Sequence, residues 1–214
     1  MSRLGRIWAA LWRYAAHPDP VAAAGNRLAI VIGWNTPTYP LWLWLTAGGA
    51  AFPAGWLTLC AAPVFLAIPA VARRHPRWGR VLPSLVGSVN TAFCTFLLGQ
   101  GSGTVLFAAP CAVLAMLMCR EGELRARLAL AGLALLVPLL PWGAGLAALP
   151  PEALAAVQAM NLFSVLCLSG FLALLLAPLI SAAEPAQDRV AEGQAQARRD
   201  AGDEGAPGDV GQRE

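Results

Sequence analysis

The 214-residue chain contains no lysine, and only 13% of its residues are charged. A soluble globular chain carries about a quarter charged residues, so the deficit argues against an ordinary water-facing domain and points to a membrane protein. Only two histidines are present, His17 and His75, and both lie outside the long apolar runs. That argues against a pair of axial haem ligands. The five cysteines, Cys60, Cys94, Cys111, Cys119 and Cys167, show no C-x-x-C spacing and fall in apolar stretches. They read as small buried hydrophobes rather than as a disulfide framework or a zinc site. The net charge of +3 is too small to suggest a nucleic-acid binder. The missing lysine, beside abundant alanine, glycine and proline, points to a GC-rich bacterial genome; this is a coding bias and carries no mechanism.

What the chain does have is apolar length. A spanning helix needs about 20 mostly apolar residues, and six runs meet or approach that: 28–47, 50–71, 81–99, 104–119, 128–146 and 156–180. No strand-like alternation competes, and a helical bundle satisfies its backbone inside lipid. The sequence therefore predicts an all-α polytopic membrane bundle of six transmembrane helices. The arginines set its orientation. Arg3, Arg6, Arg13 and Arg27 precede the first run; Arg73, Arg74, Arg77 and Arg80 lie between the second and third. Arg120, Arg125 and Arg127 lie between the fourth and fifth, and Arg189, Arg198, Arg199 and Arg213 follow the sixth. The alternate loops contain none, and their only charge is Glu152. Positive residues in short loops stay cytoplasmic, so both termini are expected in the cytoplasm of a bacterial inner-membrane protein. The stretch ARRHPRWGR, 72–80, reads as an orientation signal and an anchor to anionic head groups rather than as a substrate phosphate site.

Residues 1–24 are expected to form a cytoplasmic amphipathic segment and not a signal peptide. Leu4, Ile7, Trp8, Leu11, Trp12 and Ala15 recur at helical spacing with Arg3, Arg6 and Arg13 opposite, as in a helix lying on the inner leaflet. Residues 25–182 form the six-helix domain. Residues 183–214 are polar, with Pro185 near their start, and are expected to be a disordered cytoplasmic tail.

Inside the six runs there is no Asp, Glu, Lys, Arg or His, whereas proton relays and ion-coupled transporters keep such groups there. Serines such as Ser84, Ser88 and Ser164 have no base beside them, so no hydrolytic constellation forms. GQGSG, 99–103, lacks the lysine of a phosphate loop and reads as a tight turn. No enzyme activity, cofactor or metal is expected. The candidate ligand-binding residues are uncharged: Asn35 and Tyr39 in the proline-broken stretch GWNTPTYP, with Asn90 and Asn161 deeper in their runs. The simpler reading of Pro37 and Pro40 is a kink that satisfies itself locally, and of Asn90 and Asn161 bundle glue. Gly87, Ser88, Gly132 and Gly170 are expected at close helix approaches, and Trp42, Trp44, Trp56 and Trp142 in an outer aromatic belt.

The stretch LLGQGSGTVLFAAPCAVLAMLMCREGELRARLAL, 97–130, resembles the middle of the six-helix membrane module found in some bacterial adenylate cyclases and related signalling proteins. Its features here are the small-residue turn Gly99–Gly103, then Leu106, Phe107 and Pro110, then the charged loop Arg120–Arg127. The resemblance extends over residues 20–180, including Asn90 and Asn161. Where such proteins continue into a cytoplasmic catalytic domain, this sequence continues into the polar tail. The resemblance implies a non-catalytic sensory or regulatory module, held in the lipid bilayer and acting through a membrane signalling partner or as a homo-oligomer. The alternative readings are a small permease or accessory subunit of a transport complex, and a structural membrane protein.

Overall fold

The structure, a computed structural model, describes residues 3–203, and these are helical without any strand. The helices are α1 (Arg3–Ala15), α2 (Pro20–Asn35), α3 (Thr38–Ala47), α4 (Phe52–Thr58), α5 (Ala61–Arg74), α6 (Pro76–Leu98), α7 (Ala108–Met118), α8 (Leu124–Leu136) and α9 (Pro151–Asp203). Three helical stretches are long and apolar enough to cross a membrane: Phe52–Arg74, Pro76–Leu98 and Pro151–Pro178. Thr104–Met118 is a shorter apolar helix. The chain divides into two compact units, Met1–Ala173 and Leu174–Glu214.

Prolines and caps decide where the helices begin and break. Pro20 occupies the first turn of α2, where its missing N–H costs nothing. Asp19 caps the same turn, its Oδ1 accepting from the amides of Val21 (3.0 Å) and Ala22 (3.2 Å). The expected boundary at residues 24–25 therefore falls inside a helix. The first apolar run is split into α2 and α3 at Thr36–Pro37. At the break Thr38 Oγ1 donates to Asn35 O (2.7 Å), and Thr36 Oγ1 adds a second donor (2.8 Å) to Ile32 O, which already accepts the Thr36 amide (2.9 Å).

The fifth run departs from expectation. Helical structure ends at Leu139 rather than continuing to residue 146, because Pro138 and Pro141 remove backbone donors and Gly143 and Gly145 take positive φ (63° and 75°). The released segment folds over the C-terminal end of α6. Its Leu146 and Ala147 amides donate to Phe96 O (3.2 Å) and Leu97 O (2.9 Å), two of the carbonyls that a helix end leaves without partners. Trp142 Nε1 donates to Val137 O (2.6 Å) in the same segment.

Residues 183–203, expected to be disordered, instead continue α9 through Pro185. The stretch is rich in Ala, Gln, Glu and Arg, all good helix formers. Residues 204–214 of the expected tail lie outside the described residues.

Helix α6 runs through the middle of the packing. Its Leu97 and Leu98 join Leu43, Ala51, Ala54 and Val157 in one buried cluster. Its Val81 joins Ala115, Cys119, Leu130 and Ala131 in a second, and Leu82 and Val86 pack on a third around Phe65 and Ile68. Small residues let α2 and α6 approach closely. A Cβ on Gly25 would sit 2.6 Å from Gly79 O, and one on Gly79 would sit 3.2 Å from Ala22 Cβ of α2 and 2.7 Å from Ala72 Cβ of α5. Gly87 is similarly backed by Cys111 Sγ. Gly132 and Gly170, expected in the same role, face open space instead, because both lie on exposed faces of their helices. Replacing Gly25 by Ala is therefore expected to lower thermal stability in detergent, while Gly132→Ala leaves it equal or higher through helix propensity. Overpacking costs about 1–3 kcal/mol, and equal melting temperatures for the two variants would contradict the close α2–α6 contact.

Candidate functional site

Two polar clusters occupy the two ends of α6. At its C-terminal end, Gly99 and Gly103 adopt left-handed φ (85° and 75°) around the turn Gln100–Ser102, which places Ser102 and Thr104 back against the helix. Tyr39 on α3 donates its hydroxyl to Asn161 Oδ1 on α9 at 3.1 Å. Asn161 Nδ2 donates in turn to Ser102 O at 2.9 Å. Asn161 is fully buried, so the amide has exchanged water for these partners. Beside it lies a chain of hydroxyls. Ser102 Oγ donates to Gly99 O (2.6 Å) and Thr95 Oγ1 to Thr91 O (2.7 Å), and Thr104 Oγ1 lies 2.9 Å from Ser102 Oγ and 3.0 Å from Thr95 Oγ1. Three hydroxyl protons serve these four contacts, so one contact is always unmade and the proton arrangement can switch.

The four sequence candidates do not converge. Tyr39 and Asn161 are joined. Asn35 is exposed and takes its hydrogen bonds from neighbouring Thr38. Asn90, one helix turn before Cys94, accepts a long contact from that thiol (3.7 Å). Ser102, Thr95 and Thr104 complete the cluster and were not singled out by sequence, since ordinary hydroxyl residues give no signal until a turn gathers them. Asn26, also not singled out, is fully buried on α2 and donates through Nδ2 to Ala15 O (3.2 Å), tying α1 to the bundle. Its place two residues before the long apolar stretch that begins at residue 28 was the available hint.

At the N-terminal end of α6 the cluster is ionic. The expectation that residues 72–80 form a loop is corrected: α6 begins at Pro76, so Arg80 stands one turn inside the helix and is only 5% exposed. Its Nη1 donates to Asp19 Oδ2 (2.7 Å) and its Nη2 to Glu123 Oε1 (3.0 Å). One guanidinium thus ties together the α1–α2 connection, α6 and the α7–α8 turn. Two exposed arginines ring it: Arg120 Nη2 reaches Asp19 Oδ2 (3.2 Å) and Arg77 Nε reaches Glu123 Oε1 (3.4 Å). Arg127 Nη2 closes the α7–α8 turn by donating to Cys119 O (2.7 Å). Burial pushes the Asp19 carboxyl upward, but the Ala22 amide, the Arg80 guanidinium and the Val21 amide outweigh it and hold the carboxyl below its ordinary 3.8.

No family model, curated protein or solved structure matches the chain. Among the described residues no group of His, Cys, Asp and Glu is placed to hold a metal ion.

The clusters differ in what their loss should cost. A double-mutant cycle of Tyr39→Phe and Asn161→Leu, read by thermal unfolding in detergent, should give a coupling of roughly 0.6–2 kcal/mol; strict additivity would show that the pair contributes no shared bond. Arg80→Met takes from half-buried Asp19 and Glu123 their one buried partner and leaves each only an exposed arginine; it should cost clearly more than exposed Arg77→Met, which should cost about 1 kcal/mol or less. Because the Asp19 pKa is lowered on folding, its contribution is complete above 3.8 and is lost as pH falls through the lower folded value. Asp19→Asn should flatten the stability profile in that acid range, and an unchanged profile would contradict the ion pair.

Proposed function

We propose that the chain is a bacterial inner-membrane protein that crosses the bilayer six times with both termini cytoplasmic, and that it is a non-catalytic sensory or regulatory module acting through a partner. The six crossings are α2–α3, α4–α5, α6, Thr104–Met118, α8 with its extension to Leu139, and the first part of α9. This assignment puts every arginine outside the tail on one side, together with the ionic cluster. The Gly99–Gly103 turn and the segment over the C-terminal end of α6 then face the periplasm. Exposed Trp42, Trp44 and Trp56 suit the outer interface, and exposed Trp8 and Trp78 the inner one.

The observation that carries the reading is the position of both clusters on one helix. Arg80 and Thr95 are fifteen residues apart on α6, about 22 Å at the helical rise. A cue that shifts α3 or α9 at the hydroxyl cluster pushes on α6, and α6 carries the push to the two connections held by Arg80. Packed helices respond to such pushes by moving between discrete arrangements. The cytoplasmic face, where those connections meet, is where a membrane signalling partner or a second copy of the chain would sense the change. The resemblance of residues 97–130 to the membrane module of bacterial adenylate cyclases supports the same reading.

Reporter fusions at residues 49, 102 and 150 should report periplasmic, and those at 76, 123 and 200 cytoplasmic; any other alternation defeats the topology. Coupling between the clusters is tested by trypsin, which cuts after arginine. In inside-out vesicles, Asn161→Leu should change the rate of cleavage at Arg73–Arg77. An unchanged rate, in a variant that still melts cooperatively, would show that the clusters are independent and the relay absent.

A further inference from the structure

We propose that a pocket at the N-terminal end of α6 is a binding site for one phosphate-bearing anion. The pocket has a volume of about 640 Å³, and its polar lining is His17, Asp19, Arg73, Arg77, Arg80 and Arg120. Four guanidinium groups therefore face one carboxylate. Even with Glu123, which pairs with Arg77 and Arg80 from behind, the site carries two positive charges in excess. A general anchor to a charged surface needs only exposed arginines on a solvated loop. Here three connections fold into a concavity around them.

Two further observations point to a ligand. The side chain of Arg80 is 5% exposed and lines the pocket, its Nη1 and Nη2 are held by Asp19 and Glu123, and its Nε is buried without a hydrogen-bond partner. Leaving a charged donor buried and unpaired is costly. Helix α6, 23 residues long, opens at this pocket with no side-chain cap and no acidic residue of its own in the first turn, and the positive end of its dipole adds to the field of the arginines. Helix N-termini with free amides and arginine forks are suited to phosphate. His17 adds a donor: its Nδ1 accepts from the Asp19 amide (3.0 Å), which leaves Nε2–H free to point at an anion. The excess of two charges matches a phosphate monoester, which carries about −1.5 to −2 at neutral pH, better than it matches chloride or a single carboxylate. The phosphate belongs either to a lipid headgroup or to a soluble phosphoester, and the chemistry of recognition is shared.

The test uses the purified full chain and two probes at constant ionic strength. One is inorganic phosphate; the other is vesicles of phosphatidylcholine containing or lacking phosphatidic acid. Binding of phosphate is read by equilibrium dialysis, and lipid retention by native mass spectrometry. Saturable binding of one anion per chain is expected in at least one arm. Binding to inorganic phosphate identifies a soluble phosphoester site, and retention of phosphatidic acid alone identifies a headgroup site. The double variant Arg77→Gln/Arg120→Gln removes two exposed arginines whose ion pairs contribute little to folding; it should keep its helical content and weaken binding by at least about tenfold. Arg125→Gln, which alters a nearby arginine outside the pocket, should bind as the native chain does. No saturable binding in either arm would overturn the site. So would an equal loss in Arg125→Gln, which would reduce the effect to general charge, or undiminished binding in a folded Arg77→Gln/Arg120→Gln chain.

Discussion

A guanidinium almost wholly withdrawn from water has to be neutralised where it stands, and Arg80 is neutralised twice. Its two partners come from opposite parts of the chain, Asp19 before α2 and Glu123 after α7. The interaction thus holds two connections, α1–α2 and α7–α8, against the first turn of α6. Asp19 does a second task, since its other oxygen caps α2. Moving α2 along its axis would disturb the ion pair, and breaking the ion pair would loosen the cap. Buried ion pairs are not favoured for stability alone, because desolvation offsets most of their attraction. Here the pair joins residues that lie 61 and 43 positions from Arg80 in the chain.

The opposite end of α6 solves a different problem with neutral groups. A helix end leaves carbonyls without partners, and inside an apolar surrounding each such group is expensive. The segment following α8 supplies two amides to Phe96 and Leu97, and Thr95, Ser102 and Thr104 share protons beside them. Asn161 and Tyr39 join α9 and α3 to this turn through amide and hydroxyl bonds. Such bonds are individually modest in membranes. They are also easier to exchange than a doubly paired guanidinium.

The two ends also differ in the ligands they suit. The hydroxyl end holds uncharged donors and acceptors that are mostly committed to each other. The ionic end has positive charge to spare, an unpartnered Nε and an open concavity. An anion seated there would draw on the same arginines that hold Asp19 and Glu123, so its arrival would be felt by both connections.

Much of this was legible in the residues in order. Helical class, apolar length, the kink at Thr36–Pro37 and the tight turn at Gly99–Gly103 follow from local chemistry: missing proline donors, glycine at left-handed φ, and hydroxyls one turn from a freed carbonyl. Tyr39 and Asn161 could be marked as costly polar groups, though not paired, because 122 positions separate them. The end of the fifth helical segment at Leu139 rested on prolines already visible within an apolar run, but hydropathy outweighed them until the fold showed what the released amides bond to. Continuation of α9 through Pro185 likewise followed helix propensity over a single breaker. What the sequence alone determined was the material: apolar helices, one-sided arginines and a few buried amides. Only the tertiary structure decided that Arg80 is a buried hub rather than one more loop arginine, because its burial depends on Asp19 and Glu123 arriving from 61 and 43 residues away, and no local pattern encodes that meeting.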